Sequence, residues 1–240
     1  MTHLSTTLVA LCLLGVTSAA ECIPKYSSSN GFQLVVNVTD RTKDTYTPPV
    51  HGSFVQLAHV GPPYNRAVAS TSSGSVFYQN GTFSDIANQR IGILTDIGTP
   101  PFPAGVTYQF PEQQNQTDEK GKPIHVNGGA SGGGTRLTRL YEPLSYLTIL
   151  SDVVESTFVV CPNSTIPYYA RTNYRFNVVN WVQATRDSTG SHIVIPEGCV
   201  AVNLVPQCAT LNDLPENAFS SHDFAQEVRC YDDVAGMDWN

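Results

Sequence analysis

The sequence predicts an all-β protein: a β-sandwich or jelly-roll-like domain, followed by a short acidic C-terminal extension carrying one short helix. Three observations lead there. Short runs rich in Val, Ile, Phe, Tyr and Thr alternate with Gly, Pro, Asn and Ser, which is the punctuation of strands and turns. No long segment shows the 3.6-residue apolar period of an amphipathic helix. Proline pairs at Pro48-Pro49, Pro62-Pro63 and Pro100-Pro101 mark loops or strand ends, because proline cannot donate to a ladder.

The elements follow in chain order. Leu8 to Val16 is an apolar run of signal-peptide length, and Ser18 and Ala20 suit the small-residue cleavage rule. The run is shorter than the ~20 residues that span a bilayer, so residues 1–20 are expected to be a signal peptide. Strands are expected in GFQLVVNV, SFVQLAHV, SVFYQN, RIGIL, YLTIL, STFVVC, YRFNVVNWV, HIVI and CVAVNLV. In the first of these, Phe32, Leu34, Val36 and Val38 share one face and Gln33, Val35 and Asn37 the other. These strands make up one domain over residues 21–208. Apolar density falls after Ala209, so residues 209–240 are read as the extension. Its helix is expected from Ser220 to Cys230, where Ser220 and Asp223 resemble a capping box.

Charge excludes some partners. Glu197, Asp213, Glu216, Asp223, Glu227, Asp232, Asp233 and Asp238 face Arg229 alone, so the formal charge of −7 lies in the last segment. Phosphate binding needs clustered Lys and Arg. Nucleic acid and an anionic membrane are therefore not expected partners. The acidic end reads as a solvated tail.

Export is expected from two further features. N-x-[ST] sequons place glycans at Asn37, Asn80, Asn115 and Asn163, with Asn37 on the more polar face of its strand. Once Cys12 is removed with the signal, Cys22, Cys161, Cys199, Cys208 and Cys230 remain, and in an oxidising compartment they pair with one left over. Cys199 and Cys208 lie close in sequence, and Pro206 argues against a regular strand up to Cys208. This predicts a Cys199–Cys208 bridge. Cys22, Cys161 and Cys230 compete for the second, with Cys22–Cys161 favoured.

The one catalytic motif is Gly-Ala-Ser-Gly-Gly at 129–133, which matches the G-x-S-x-G elbow of serine hydrolases around Ser131. An elbow needs a helix directly after the serine. Gly133 and Gly134 start a helix poorly, at ~1 kcal/mol each relative to Ala, and Pro143 stops it. Asp152 and His192 complete the hydrolase order only on paper. The expected reading is a glycine-rich loop, so no catalytic residue is assigned. No cofactor is expected. Metal binding is not expected either, because His51 and His59 lack ligand spacing; His59 reads as a hydrogen-bonded, buried histidine. Trp181 and Tyr168-Tyr169 could stack on sugars but fit core aromatics better.

GFQLVVNVTD, PPVHGSFVQLAHVG, FYQNGT, ILTDIGTPPFP and EGCVAVNLVPQCATLNDLP together resemble a family of small fungal secreted proteins of unknown function, some labelled IgE-binding protein. The resemblance covers roughly residues 22 to 215 and carries over no catalytic residue. It implies an extracellular, allergen-like protein with the cell wall as a further expected location. The expected function is a secreted N-glycosylated β-rich protein without enzymatic activity, with cell-wall polysaccharide or a host protein as partner. A carbohydrate-binding module and a serine hydrolase using Ser131 are the alternatives.

Overall fold

The computed structural model describes residues 25–237 apart from 73, 89, 109–119, 130–131, 139–143, 150–154, 167–173 and 189. The expected signal peptide, Cys22, Asn115, Ser131, Asp152 and Tyr168-Tyr169 lie outside the described residues. The same holds for the side chain of Asn163.

The first half of the chain carries β1 (Ser27–Ser29), β2 (Gly31–Val38), β3 (Phe54–Gly61), β4 (Tyr64–Ser70) and β5 (Val76–Asn80). The short helix α1 (Phe83–Ala87) leads to β6 (Gly92–Ile97) and β7 (Phe102–Thr107). Then follow β8 (Lys122–Pro123), β9 (His125–Gly128), β10 (Thr135–Leu137) and β11 (Leu147–Ile149). The last strands are β12 (Ser156–Ser164), β13 (Phe176–Gln183), β14 (Thr185–Asp187), β15 (Gly190–His192), β16 (Val200–Ala209) and β17 (Val228–Cys230).

The chain is mostly strand, and the strands close into a nine-strand barrel rather than an open sandwich. The ring runs β2, β5, β6, β7, β9, β4, β13, β12, β16 and back to β2. Strand β3 caps one corner: it pairs along β4 and meets β2 at Val35 opposite Phe54. Closure removes free edges that would otherwise template aggregation. It also separates the two faces of each strand. On β2, Phe32, Leu34, Val36 and Val38 enter the main core. They meet Phe77, Ile93, Val126, Val160, Trp181 and Leu204 there. Trp181, 1% exposed, is thus a core aromatic and not part of a sugar platform.

The outer faces are covered too. Val35, Val205, Tyr231 and Val234 form a second cluster that seats the end of the chain on β2 and β16. This corrects the expected place of Asn37. It shares that outer face with Val35, but it is 5% exposed and its Oδ1 lies buried without a hydrogen-bond partner. Asn80, in contrast, is half-exposed at the end of β5.

Both expected disulfides are corrected. The bridges are Cys161–Cys199 and Cys208–Cys230. Cys199 lies just before β16 and Cys208 near the far end of that strand. Nine residues at ~3.3 Å each hold them about 30 Å apart, far beyond the ~4.4–6.8 Å that a disulfide spans. Proline does not interrupt the strand, because the carbonyl of Pro206 accepts from the N–H of Tyr231. In a strand a residue's N and O point the same way, so the missing N–H of Pro206 faces away from β2 and costs no bond to it. The Cys161–Cys199 bridge extends a ladder in which Val160 already faces Val200.

The helix expected at Ser220–Cys230 is also corrected. That segment is irregular and then becomes β17. Its backbone groups bond the barrel instead: the N–H of Gln226 donates to the carbonyl of Gln79, and the carbonyl of Phe224 accepts from Gly81. The capping box forms elsewhere, where Thr82 and Asp85 exchange bonds at the start of α1. Val228, Cys230, Tyr231 and Val234 are buried, so residues 209–237 form a strap on the barrel rather than a solvated tail.

Candidate functional site

The glycine-rich loop is read from its described flanks. Gly129, Gly132 and Gly134 have φ of 77°, 64° and 88°, the left-handed region that favours glycine. A Cβ on Gly132 would stand 2.4 Å from the carbonyl oxygen of Ile93, so the loop lies tight on β6. Thr135 donates from its hydroxyl to the carbonyl of Gly132 at 2.7 Å and opens β10. The motif therefore leads into a strand, where a nucleophile elbow needs a helix N-terminus. His192 stands on the exposed β14–β15 hairpin, 3.0 Å from Asp187.

Three polar groupings remain. In the first, His222 Nε2 lies 2.9 Å from Asp96, whose side chain is almost fully buried on β6. Tyr78 packs edge-on against the His222 ring at 4.8 Å and donates to Asp96 at 3.5 Å. Burial, and then the Asp96 charge, push the Tyr78 phenol well above its ordinary range. The cluster is a hydrogen-bonded clasp that holds the strap to the outside of β5 and β6. Sequence reading missed it, because Asp96 and His222 lie 126 residues apart on the chain and Tyr78 lies further still from His222.

The second grouping crosses the seam of β4, β9 and β13. Arg66, buried, donates to the carbonyl of Ile124 at 3.0 Å and to Asn180 Oδ1. Asn180 Nδ2 donates to the carbonyl of Lys120 at 2.7 Å. Asn65 donates to the carbonyl of Val126, and its Oδ1 lies 3.4 Å from His59 Nδ1. His125, opposite Arg66 in register, has its pKa pushed down to about 4, chiefly by burial and then by the Arg66 charge. His125 is thus held neutral, and Arg66 is used up in joining strands.

His51 Nδ1 accepts from the N–H of Val38 at 3.3 Å, and burial lowers the His51 pKa. Among the described residues no group of His, Cys, Asp and Glu is arranged to hold a metal ion.

The third grouping is a cavity of about 470 Å³ between α1, β10 and the strap. Its walls include Ile86, Ile91, Leu137 and Val228, together with Arg136 and Arg229. The volume falls within the ~300–1,000 Å³ usual for ligand pockets, and the mixture of apolar walls and a few polar groups is the usual make-up of such sites. Nothing in the linear sequence brings these residues together. Arg136 follows the glycine loop and Arg229 comes from the segment read as a tail.

The architecture defines a closed β-barrel stapled by two disulfides, with a cavity formed where the C-terminal strap crosses it. Residues 29–208 match the domain of unknown function DUF7907, and the chain belongs to that family. Among curated proteins it is 34% identical over 230 residues to the antigenic protein SchS34 of Stachybotrys chartarum, covering 94% of this chain and 98% of the relative. This agrees with the expected fungal family of unknown function. No solved structure matches the chain significantly.

Proposed function

We propose that the chain is an exported, N-glycosylated, non-catalytic β-barrel that works outside the cell or in its wall and is recognised by antibodies of an exposed host. The observation that carries the reading is the pair of disulfides, Cys161–Cys199 and Cys208–Cys230. Such bridges form and persist in oxidising compartments. The printed name of the SchS34 relative supports the antigenic part. A non-catalytic role is supported by the use of His222, His125 and His51 in structural hydrogen bonding and burial, and by the strand that follows the glycine loop. Glycans are proposed at Asn80, Asn115 and Asn163.

Expression of the full chain in a secreting fungal host tests the reading. The expected result is protein in the medium that begins near Glu21, resists thiol alkylation at its four paired cysteines, loses mass in steps on deglycosylation and ignores a fluorophosphonate probe. Retention in the cytosol with free thiols defeats export. Probe labelling that disappears in Ser131→Ala defeats the non-catalytic part.

A further inference from the structure

We infer that the cavity between α1, β10 and the strap is a binding site for a small amphipathic carboxylate: one anionic head on a short hydrocarbon body. The walls carry both halves of that chemistry. Ile86, Ile91, Leu137 and Val228 supply apolar surface, and Arg136 and Arg229 supply two guanidiniums. Arg229 is 8% exposed and is held under the ring of Tyr26, 5.2 Å away. A planar guanidinium kept in place matches a carboxylate's two oxygens better than a flexible ammonium does. Among the described wall residues the carboxylate is Glu227, which accepts a 2.6 Å bond from Ser28 on β1.

The surroundings point to a ligand with an apolar part. Phe83 is 87% exposed, and Ile86 follows it three residues later on the same side of α1. Phe224, also exposed, is held beside this helix, because its carbonyl accepts from both Gly81 N–H and Gln226 Nε2. Tyr26, which stacks on Arg229, is exposed as well. Large exposed apolar side chains gathered near a cavity are a mark of interaction surface. A free sugar would make poor use of Ile86, Ile91 and Val228. A bare inorganic anion would leave that wall in contact with water. Charge complementarity to two arginines selects the carboxylate over an alcohol of the same length.

The test uses the full chain, with octanoate as the probe and 1-octanol as its neutral counterpart. Binding is read from amide shifts in two-dimensional NMR and from calorimetry. Octanoate should shift the amides of Ile86, Ala87, Leu137 and Gln226 to Arg229. Octanol should bind about tenfold or more weaker, the loss expected for one charge-assisted hydrogen bond. Arg136→Gln should weaken octanoate by a similar factor without weakening octanol, and Arg136→Lys should recover part of it. Ile86→Asp, on an exposed turn where folding is insensitive, should weaken both. Equal affinity for octanoate and octanol, an unaltered affinity in Arg136→Gln, or shifts confined to other surfaces would each overturn the assignment. Undiminished octanoate binding in Ile86→Asp would do so as well, even if the arginine variant failed to fold.

Discussion

The barrel and the strap that crosses it are stabilised in different ways. The barrel encloses one continuous apolar core, from Phe32 on β2 round to Leu204 on β16. The strap, residues 209–237, has no core of its own. It is held at separate points: the His222–Asp96 clasp, the Gln226 bonds to Gln79 and Gly81, the Cys208–Cys230 bridge and the Tyr231 hydroxyl, which accepts from Ser145 at 2.9 Å. Packing in the barrel is collective, so damage to it is global. The strap is a row of local fastenings, so it can open while the barrel stays closed. The cavity lies where the two meet, and its shape depends on the weaker partner.

The largest effect is expected from the barrel. Trp181→Ala should cost about 3–5 kcal/mol by emptying a core position, and denaturant unfolding should shift as one transition. The two bridges sharpen the contrast. In the chain-entropy model, removing Cys161–Cys199, which closes 38 residues, costs about 4 kcal/mol, and removing Cys208–Cys230, which closes 22, about 3 kcal/mol. Their consequences should differ in kind. With both members changed to Ser, the first should lower global stability alone. The second should also expose the amides of 210–237 to hydrogen exchange before those of the barrel. Uniform exchange in both variants would show that strap and barrel open together.

Acid should act first on the barrel seam. The His125 pKa is lowered in the folded state to about 4 from an ordinary value near 6.5. Its contribution is therefore complete above about pH 6.5 and falls away as the pH drops toward 4, by about 3 kcal/mol in all. His51 shifts the same way and adds to the loss. His125→Gln should flatten this part of the stability profile in urea titrations from pH 7 to pH 4. A slope unchanged by the substitution would move the acid sensitivity elsewhere.

The smallest effects lie in the glycine loop, where neighbouring residues should behave oppositely. Gly132→Ala combines φ of 64° with a Cβ set against the Ile93 carbonyl, and should cost well over 1 kcal/mol. Gly129→Ala has a similar φ of 77° in open space and should cost about 1 kcal/mol. Ser131→Ala should stay within ~0.5 kcal/mol. Thermal melts of the three variants would rank them.

Much of the barrel was legible in the residues. Alternation in GFQLVVNV identified the core face of β2 residue by residue, because the two-residue period of a strand is a local property. The same alternation misplaced Asn37, since a polar outward position looks solvated until something covers it. What covers Val35 on that face of β2, Tyr231 and Val234, comes from nearly 200 residues further along. The capping-box pattern was also a local signal, but two sites compete for it. It was read at Ser220, where the barrel offers backbone partners instead, and missed at Thr82, where it forms.

The sequence by itself determined that the chain is β-rich, where its main strands run and that its glycine loop needs left-handed backbone. These follow from the side-chain period and the missing Cβ, both of which act over a few residues. Only the tertiary structure decided barrel over sandwich, the pairing of Cys161 with Cys199 and Cys208 with Cys230, the Asp96–His222 clasp and the cavity that joins Arg136 to Arg229. Each of these depends on strand register and closure, which bring distant residues within a few ångströms, and no short stretch of sequence carries that information.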